Sequence, residues 1–257
     1  MKIYALGTCS GTEPMVNRHH TSFAFELNDR LYFFDAGENC SYTAHLMGLD
    51  LLKVSDVFIS HPHMDHIGGL PNLLWTIFKM TYVTGNLPKY GDVNIHISDK
   101  EIFDSVKIIL ENTQRTYNSR VNTQFKQIEE GIIYKDENIT VSAVHNNHIK
   151  YDGNRWMSYS FLINAEDKRI LYSGDIKELD DIHPFLKDGC DILFIETGHN
   201  SSENLCKEIV EKGYDVKKVY FMHHGRAILY NCEEELEKCR KIIPSVEFCN
   251  DKDIIIP

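Results

Sequence analysis

Residues 57–66 read Val-Phe-Ile-Ser-His-Pro-His-Met-Asp-His, so His61, His63, Asp65 and His66 arrive together at the end of an apolar run. Three imidazoles and a carboxylate at a strand end can hold a pair of divalent metal ions, and adjacent ions can activate water for hydrolysis. The bland alternative is a solvated loop that happens to be His-rich. On extended backbone, residues i and i+2 point the same way, so His61 and His63 can reach one ion. Asp65 and His66 lie just past them and can turn toward a second. A catalytic zinc takes three protein ligands plus water, so the motif needs further donors from elsewhere.

Candidates for those donors sit at or just past later strand ends. His148 follows a strand at 139–144 and is preferred to His145, because it lies beyond the strand end where loops converge. Asp175 closes Arg-Ile-Leu-Tyr-Ser-Gly-Asp at 169–175. Its carboxylate could bridge two cations, and Gly174 lets the backbone pass close by; the competing role is a helix N-cap. The strand at 218–222 delivers both His223 and His224. His223 follows the apolar run directly and is the preferred ligand, with His224 as the alternative or as a hydrogen-bond partner to a ligand. Asp35 ends another strand and could orient a ligand histidine through its other ring nitrogen, as metal-bound imidazoles usually require. Its competing role is a turn cap before Gly37.

The elements that must position these groups follow from pattern. Short β-rich runs occupy 2–6, 21–27, 30–35 and 57–60, with Asn28-Asp29 as a two-residue hairpin turn. Helices are expected at 41–49 and 69–79. A strand at 94–98 leads to Asp99, an N-cap for a helix reaching about residue 112. The polar stretch 113–123 reads either as a mobile loop or lid or as an ordinary surface crossing. Strands resume at 139–144, 158–164, 169–173, 192–196 and 218–222, with helices at 202–212 and 232–242. Two groups of strands with helices between them predict two sheets packed face to face and covered by helices, in one domain spanning 1–257.

Composition limits the partners. The chain has 257 residues, 42% hydrophobic and 25% charged, enough for one large core. The formal net charge is -11 and no run of four Lys/Arg occurs, which disfavours a polyanionic partner. The seven cysteines contain no C-x-x-C pair and read as free thiols, which favours a reducing compartment. No signal peptide or membrane-length apolar run is expected, and the location expected is cytoplasmic.

Taken together, His-x-His-x-Asp-His followed by a His, an Asp and a His resembles the metallo-β-lactamase superfamily. The resemblance runs from Asp35 to His223. It implies an α/β fold, the αββα four-layer sandwich, with a dinuclear site. In that pattern His61, His63 and His148 would hold one metal, Asp65, His66 and His223 the other, and Asp175 would bridge. Zinc is the expected metal, and manganese and iron also suit the donor set.

Within the superfamily the sequence is similar to the RNase Z and phosphodiesterase branch. The opening Leu-Gly-Thr-Cys-Ser-Gly-Thr-Glu-Pro, Asn17-Arg18, Phe-Asp-Ala-Gly-Glu at 34–38 and His-Ile-Gly-Gly-Leu-Pro at 66–71 all carry that likeness. Gly198-His199-Asn200-Ser201-Ser202 resembles the branch's His-Ser-Thr loop. That likeness implies a catalytic role for His199 on the leaving group, partnered by Glu196; in the two-metal mechanism, Asp65 can take the proton of the activated water while it ligates. The competing role for His199 is a loop position ahead of the helix at 202. A long arm that grips tRNA has no counterpart here, and the segment after His223 departs from the branch's pattern.

The function expected is therefore metal-dependent hydrolysis of a small phosphodiester or nucleotide, not of a long tRNA, with Arg115, Arg120, Arg155 and Arg226 as candidate phosphate clamps. A lactonase or thioester hydrolase is the alternative, followed by RNase Z-type tRNA processing and by a non-catalytic metal-binding module. Similar proteins lead one to expect a homodimer.

Overall fold

In the computed structural model, which describes residues 1–149 and 156–257, strand β1 (Lys2–Gly7) pairs antiparallel with β2 (Ser22–Leu27). The chain then turns through Asn28 and Asp29 into β3 (Arg30–Phe34). Both turn residues have positive φ, 45° and 70°, as a type I′ hairpin demands and as Asn and Asp tolerate. From β3 onward the pairing is parallel: β4 (Val54–Phe58), β5 (Val93–Ile97) and β6 (Thr123–Gln127) add in sequence, and Ile254–Ile255 closes the other edge on β1. Parallel crossovers need intervening chain, which here contains α1 (Cys40–Leu46), α2 (Met64–Ile67), α3 (Leu70–Thr84) and α4 (Lys100–Thr113). Asp99 caps α4, accepting a hydrogen bond from the Glu101 amide at 2.7 Å.

These elements form the first of two units, Met1–Gly7, Asn17–Ile128 and Asp251–Ile256. Its helices bury one face: Leu73, Ile77 and Phe78 of α3 and Val106 and Leu110 of α4 pack with Phe33, Val57 and Ile95 of the sheet. Each such side chain is worth about 1.5–3 kcal/mol of burial. β4 starts three residues before its expected position, because Ser55 and Asp56 are polar yet buried within it. The stretch 113–123 is a crossing rather than a lid. It makes a 3₁₀ turn, Tyr117–Ser119, with Tyr117 and Val121 fully buried in the core.

The second unit comprises Thr8–Val16, Glu129–Asn250 and Pro257. Its sheet runs β13 to β7 in strict reverse order: β7 (Gly131–Lys135), β8 (Ile139–His145), β9 (Tyr159–Ala165), β10 (Lys168–Tyr172), β11 (Cys190–Thr197), β12 (Val216–His224) and β13 (Glu247–Phe248). β7 to β10 are antiparallel neighbours, whereas β10, β11, β12 and β13 are parallel. Its helices are α5 (His183–Leu186), α6 (Ser202–Glu211) and α7 (Arg226–Arg240). Leu205, Cys206 and Ile209 of α6 pack with Leu193, Ile195, Val219 and Phe221. Helix α7 begins six residues before its expected start. Asn231 breaks its geometry with φ -136°, so the helix expected from the sequence covers only the part beyond that kink.

Parallel strands bring their C-terminal ends to one edge. Tyr172 is level with Phe194, and Phe194 with Tyr220. Residues 173–175, 196–199 and 223 therefore emerge side by side. In the first unit the same logic sets Asp35 beside Ser60, since Phe34 is level with Phe58.

Candidate active site

In the first unit the loop after β4 is held by a buried carboxylate. Asp35 is fully buried with φ 58°. Its Oδ1 accepts the Ser60 amide at 2.7 Å and its Oδ2 the Ser60 hydroxyl at 2.9 Å. The same Oδ2 lies 2.8 Å from His66 Nδ1, which places the proton on that nitrogen and leaves Nε2 unprotonated, able to ligate a cation. His61 Nε2 and His63 Nδ1 converge to 3.1 Å, the spacing of two donors aimed at one cation. Helix α2 starts at once after His63 and swings Asp65 and His66 round, so that Asp65 Oδ2 stands 3.6 Å from His66 Nε2.

Two glycine motifs make this loop possible. The Ala36 amide donates to His66 O at 2.7 Å, and the Gly69 amide to Ala36 O at 2.8 Å. A Cβ on Gly69 would stand 2.0 Å from Gly37 O, and one on Gly37 would stand 2.6 Å from Asp65 O. Only glycine permits that approach.

In the second unit the centre is Asp175, which is 1% exposed. His148 Nε2 lies 3.6 Å from its Oδ2, and His223 Nε2 lies 3.2 Å from its Oδ1. Asn146 steers the His148 loop by accepting the His148 amide at 3.1 Å. His223 carries φ 49°, a left-handed conformation that a non-glycine residue seldom takes. Its ring lies on Gly198, where a Cβ would come within 2.6 Å of Nδ1.

Glu196 is fully buried and accepts the His199 amide at 2.9 Å and the Asn200 side chain at 2.6 Å. Burial pushes its carboxyl up, but the hydrogen bonds of His199 and His223 outweigh that and bring it down to about 2. His199 Nδ1 sits 3.5 Å from Glu196 and 3.7 Å from Asp175. The hydrogen bond to Glu196 raises the His199 pKa above its ordinary value. An imidazole so placed, half exposed and biased toward its charged form, can give a proton to a departing oxygen.

The alternatives left open in the sequence separate here. His145 turns away to Glu130 and Trp156, while His148 meets Asp175. His224 is engaged by the Thr197 hydroxyl at 3.1 Å and by the Cys249 carbonyl at 2.8 Å. Those contacts tie β12 to its neighbours, whereas His223 meets Asp175. Asp175 caps no long helix; a 3₁₀ turn begins only at Leu179. Of the arginines, Arg226 forks onto Glu13 at 2.7 Å, and Arg120 stacks on Tyr82 and donates to Thr81 O. Arg115 is exposed, and Arg155 lies outside the described residues. Ser60, Asn146 and Asn200 act as supports that the sequence does not signal, since nothing local distinguishes them from other polar loop residues.

The donors suit divalent cations. Each unit presents imidazole nitrogens next to a carboxylate at a strand end, the mixed set that zinc, manganese and iron accept. All seven cysteines are free thiols. Among the described residues, no helix is long and apolar enough to cross a membrane.

Comparison with known proteins adds the family. The family model described as "Anti-Pycsar protein Apyc1" matches residues 1–238. Ribonuclease Z of Listeria monocytogenes serotype 4b is 33% identical over 174 residues, covering 66% of this chain and 51% of that protein. Ribonuclease Z of Treponema pallidum is 42% identical over 74 residues, 29% of this chain and 24% of that protein. The matches thus span about half the length of these curated relatives or less. Among solved structures, the metallo-β-lactamase fold protein YhfI of Bacillus subtilis aligns with a TM-score of 0.76 at 16% identity, over 99% of this chain and 98% of that one. The short form of human tRNase Z aligns at 0.69 and 18%, over 100% and 99%. A diphosphatase of the PhnP family aligns at 0.68 and 16%, over 100% and 97%. The fold is the metallo-β-lactamase fold, of the α/β class and αββα order expected from the sequence.

Proposed function

Because the chain belongs to the family of the anti-Pycsar protein Apyc1, we propose that it is a metal-dependent hydrolase that cleaves a small phosphodiester or nucleotide with water. We extend the anti-Pycsar role in the family's name to this chain as part of the same reading. The observation that carries it is the cluster around Asp175: a buried carboxylate between two imidazoles, with the Glu196–His199 pair beside it. A metal-storage or partner-binding module has no use for a half-exposed histidine whose proton is held by a buried glutamate.

In this reading the whole chain, 1–257, acts as one hydrolase domain. His61, His63 and His148 would hold one divalent ion and Asp65, His66 and His223 the other, with Asp175 as a shared ligand. Zinc is the preferred metal. When bound, such ions lower the pKa of water and neutralise charge that develops on phosphoryl oxygens. Asp65 accepts the proton that the attacking water loses. His199, oriented by Glu196, protonates the leaving oxygen. Asp35 holds His66 in the tautomer that can donate to a cation. The net charge of -11 supports a small substrate over a long tRNA. Free thiols support a cytoplasmic location, and a homodimer is part of the same reading.

The test is a panel on protein loaded with zinc or manganese: bis(p-nitrophenyl) phosphate, cyclic nucleotides, precursor tRNA, a lactone and a thioester. Turnover of the phosphodiesters is expected. Lactone or thioester cleavage without phosphodiester turnover would overturn the proposal in favour of a different bond, and cleavage confined to tRNA would overturn the small-substrate assignment.

A further inference from the structure

Two of the seven free cysteines touch. Cys206 lies in the second turn of α6 and Cys239 in the last turn of α7, both fully buried in the core of the second unit. The Cys206 thiol donates a hydrogen bond to the Cys239 sulfur. Ser202 stands one turn before Cys206 on the same face of α6, and its hydroxyl reaches the same sulfur. Cys239 therefore lies against the first turns of α6, the positive end of that helix. The hydrogen bond from Cys206, helped by that of Ser202, brings the Cys239 thiol below its ordinary pKa, against burial and the carboxylates of Glu235 and Glu203. Burial, the largest influence on Cys40 and Cys190, pushes those two up to about 12. Both helices begin at the candidate active site. α6 follows the loop that carries Glu196 and His199, and α7 follows His223 and His224.

We propose that Cys206 and Cys239 are a redox pair, whose disulfide ties α6 to α7 and slows the hydrolysis. The effect on hydrolysis rests on the phosphodiesterase reading; the bond itself does not. With hydrogen peroxide as the oxidant, the Cys239 thiolate attacks one peroxide oxygen. An S–O bond forms, the O–O bond breaks, and the departing hydroxide takes up the proton that Cys239 lost, giving water. Cys206 then attacks the sulfenic sulfur. The S–S bond forms, the S–O bond breaks, and a second water leaves with the Cys206 proton. The two sulfurs lose two electrons, and peroxide is reduced to two waters. The new bond draws the sulfurs in to about 2.0 Å and pulls the two helices toward each other. That movement reaches His199 and His223 through the helix starts. Ordinary core thiols pack as small apolar groups and stay reduced.

The test exposes the full-length, zinc-loaded protein to hydrogen peroxide. The remaining thiols are alkylated after unfolding, and the peptides are mapped by mass spectrometry without reductant. Alkylated thiols should fall from seven to five, with Cys206 and Cys239 in one linked peptide. Turnover of bis(p-nitrophenyl) phosphate should fall about tenfold and return with dithiothreitol. Cys206→Ser keeps a donor to Cys239 but cannot close the bond. It should hold its turnover under peroxide and yield Cys239 as a sulfenic acid trapped by dimedone. If that variant does not fold, the wild-type peptide map and the reversal by dithiothreitol still decide. Seven alkylated thiols after peroxide, or a linked peptide of another pair, overturns the redox pair. A Cys206–Cys239 link with unchanged turnover overturns the switch. If no phosphodiester is cleaved before oxidation, the parent reading fails, and the peptide map still decides whether the disulfide forms.

Discussion

The two units present their candidate ligands in different ways. The first takes His61, His63, Asp65 and His66 from one loop. The second takes His148, Asp175 and His223 from three separate strand ends. In the first, local backbone does the positioning: an extended step from His61 to His63, then the start of α2. Its supports are backbone contacts at Ala36, Gly37 and Gly69. In the second, sheet register does it, since only the parallel pairing of β10, β11 and β12 brings Asp175, Glu196 and His223 level. A local motif can be moved as a piece, whereas a dispersed one depends on the whole sheet and on strained or bare positions such as His223 and Gly198.

The comparison is tested most severely by removing one donor from each half. His61→Ala and Asp175→Ala should each cut phosphodiester turnover on the order of a thousandfold, the scale of losing one preorganised electrostatic group. Metal content by elemental analysis should fall below two ions per chain in both. If either variant kept wild-type rate and metal, the proposed ligand role of that residue would be wrong. Next in size, Asp35→Asn disturbs the hydrogen bond to His66 without replacing a proposed ligand. Metal affinity, read by competition with a chromophoric chelator, should weaken about 10–100-fold; unchanged affinity would reduce Asp35 to a turn cap.

Gly198→Ala probes the dispersed half, because the new methyl would press on the His223 ring. Turnover should drop about tenfold, less than the hundredfold a 1 Å misplacement can cost. Its counterpart in the compact half, Gly69→Ala, meets backbone instead of a side chain. It should appear chiefly as a loss of about 1–3 kcal/mol of stability in urea unfolding. Should the two substitutions behave alike, the distinction between local and register-based positioning would lose its force.

The smallest expected effect is on acid stability of the first unit. His96 is buried, and that burial lowers its pKa below the ordinary value, against the pull of Asp56 3.0 Å away. The folded state therefore binds this proton less readily than the unfolded chain does. Its contribution to stability is complete above the unfolded pKa of about 6.5 and is lost as pH falls from there toward the folded value. The slope cannot exceed about 1.4 kcal/mol per pH unit for one group. His96→Asn should flatten this part of the pH–stability curve, and an unchanged slope would assign it elsewhere.

Much of this architecture is legible from residue order alone. The hairpin at Asn28-Asp29, the Asp99 cap and most central strands follow from pattern, since alternation and caps are local signals. Edge strands are not: β6 reads Thr-Gln-Phe-Lys-Gln and β7 begins with glycine, so neither carries the apolar signature of a buried strand. The kink at Asn231 hid the first turns of α7 in the same way. Tyr117 and Val121 look like residues of a polar loop until the core of the first unit closes over them.

The site divides along the same line. The density of donors at 61–66, and the presence of His, Asp and His after later strands, are properties of the chain and set the expectation of metal chemistry before any fold is known. Which of two neighbouring histidines meets Asp175 is not such a property. His145 and His148 differ by one turn of loop, and His223 and His224 by one peptide. Only pairing partners far along the chain separate them: Glu130 and Trp156 claim His145, and Thr197 and Cys249 claim His224. Residue type sets what a side chain can ligate or protonate; the packing of distant strands sets the direction in which it points.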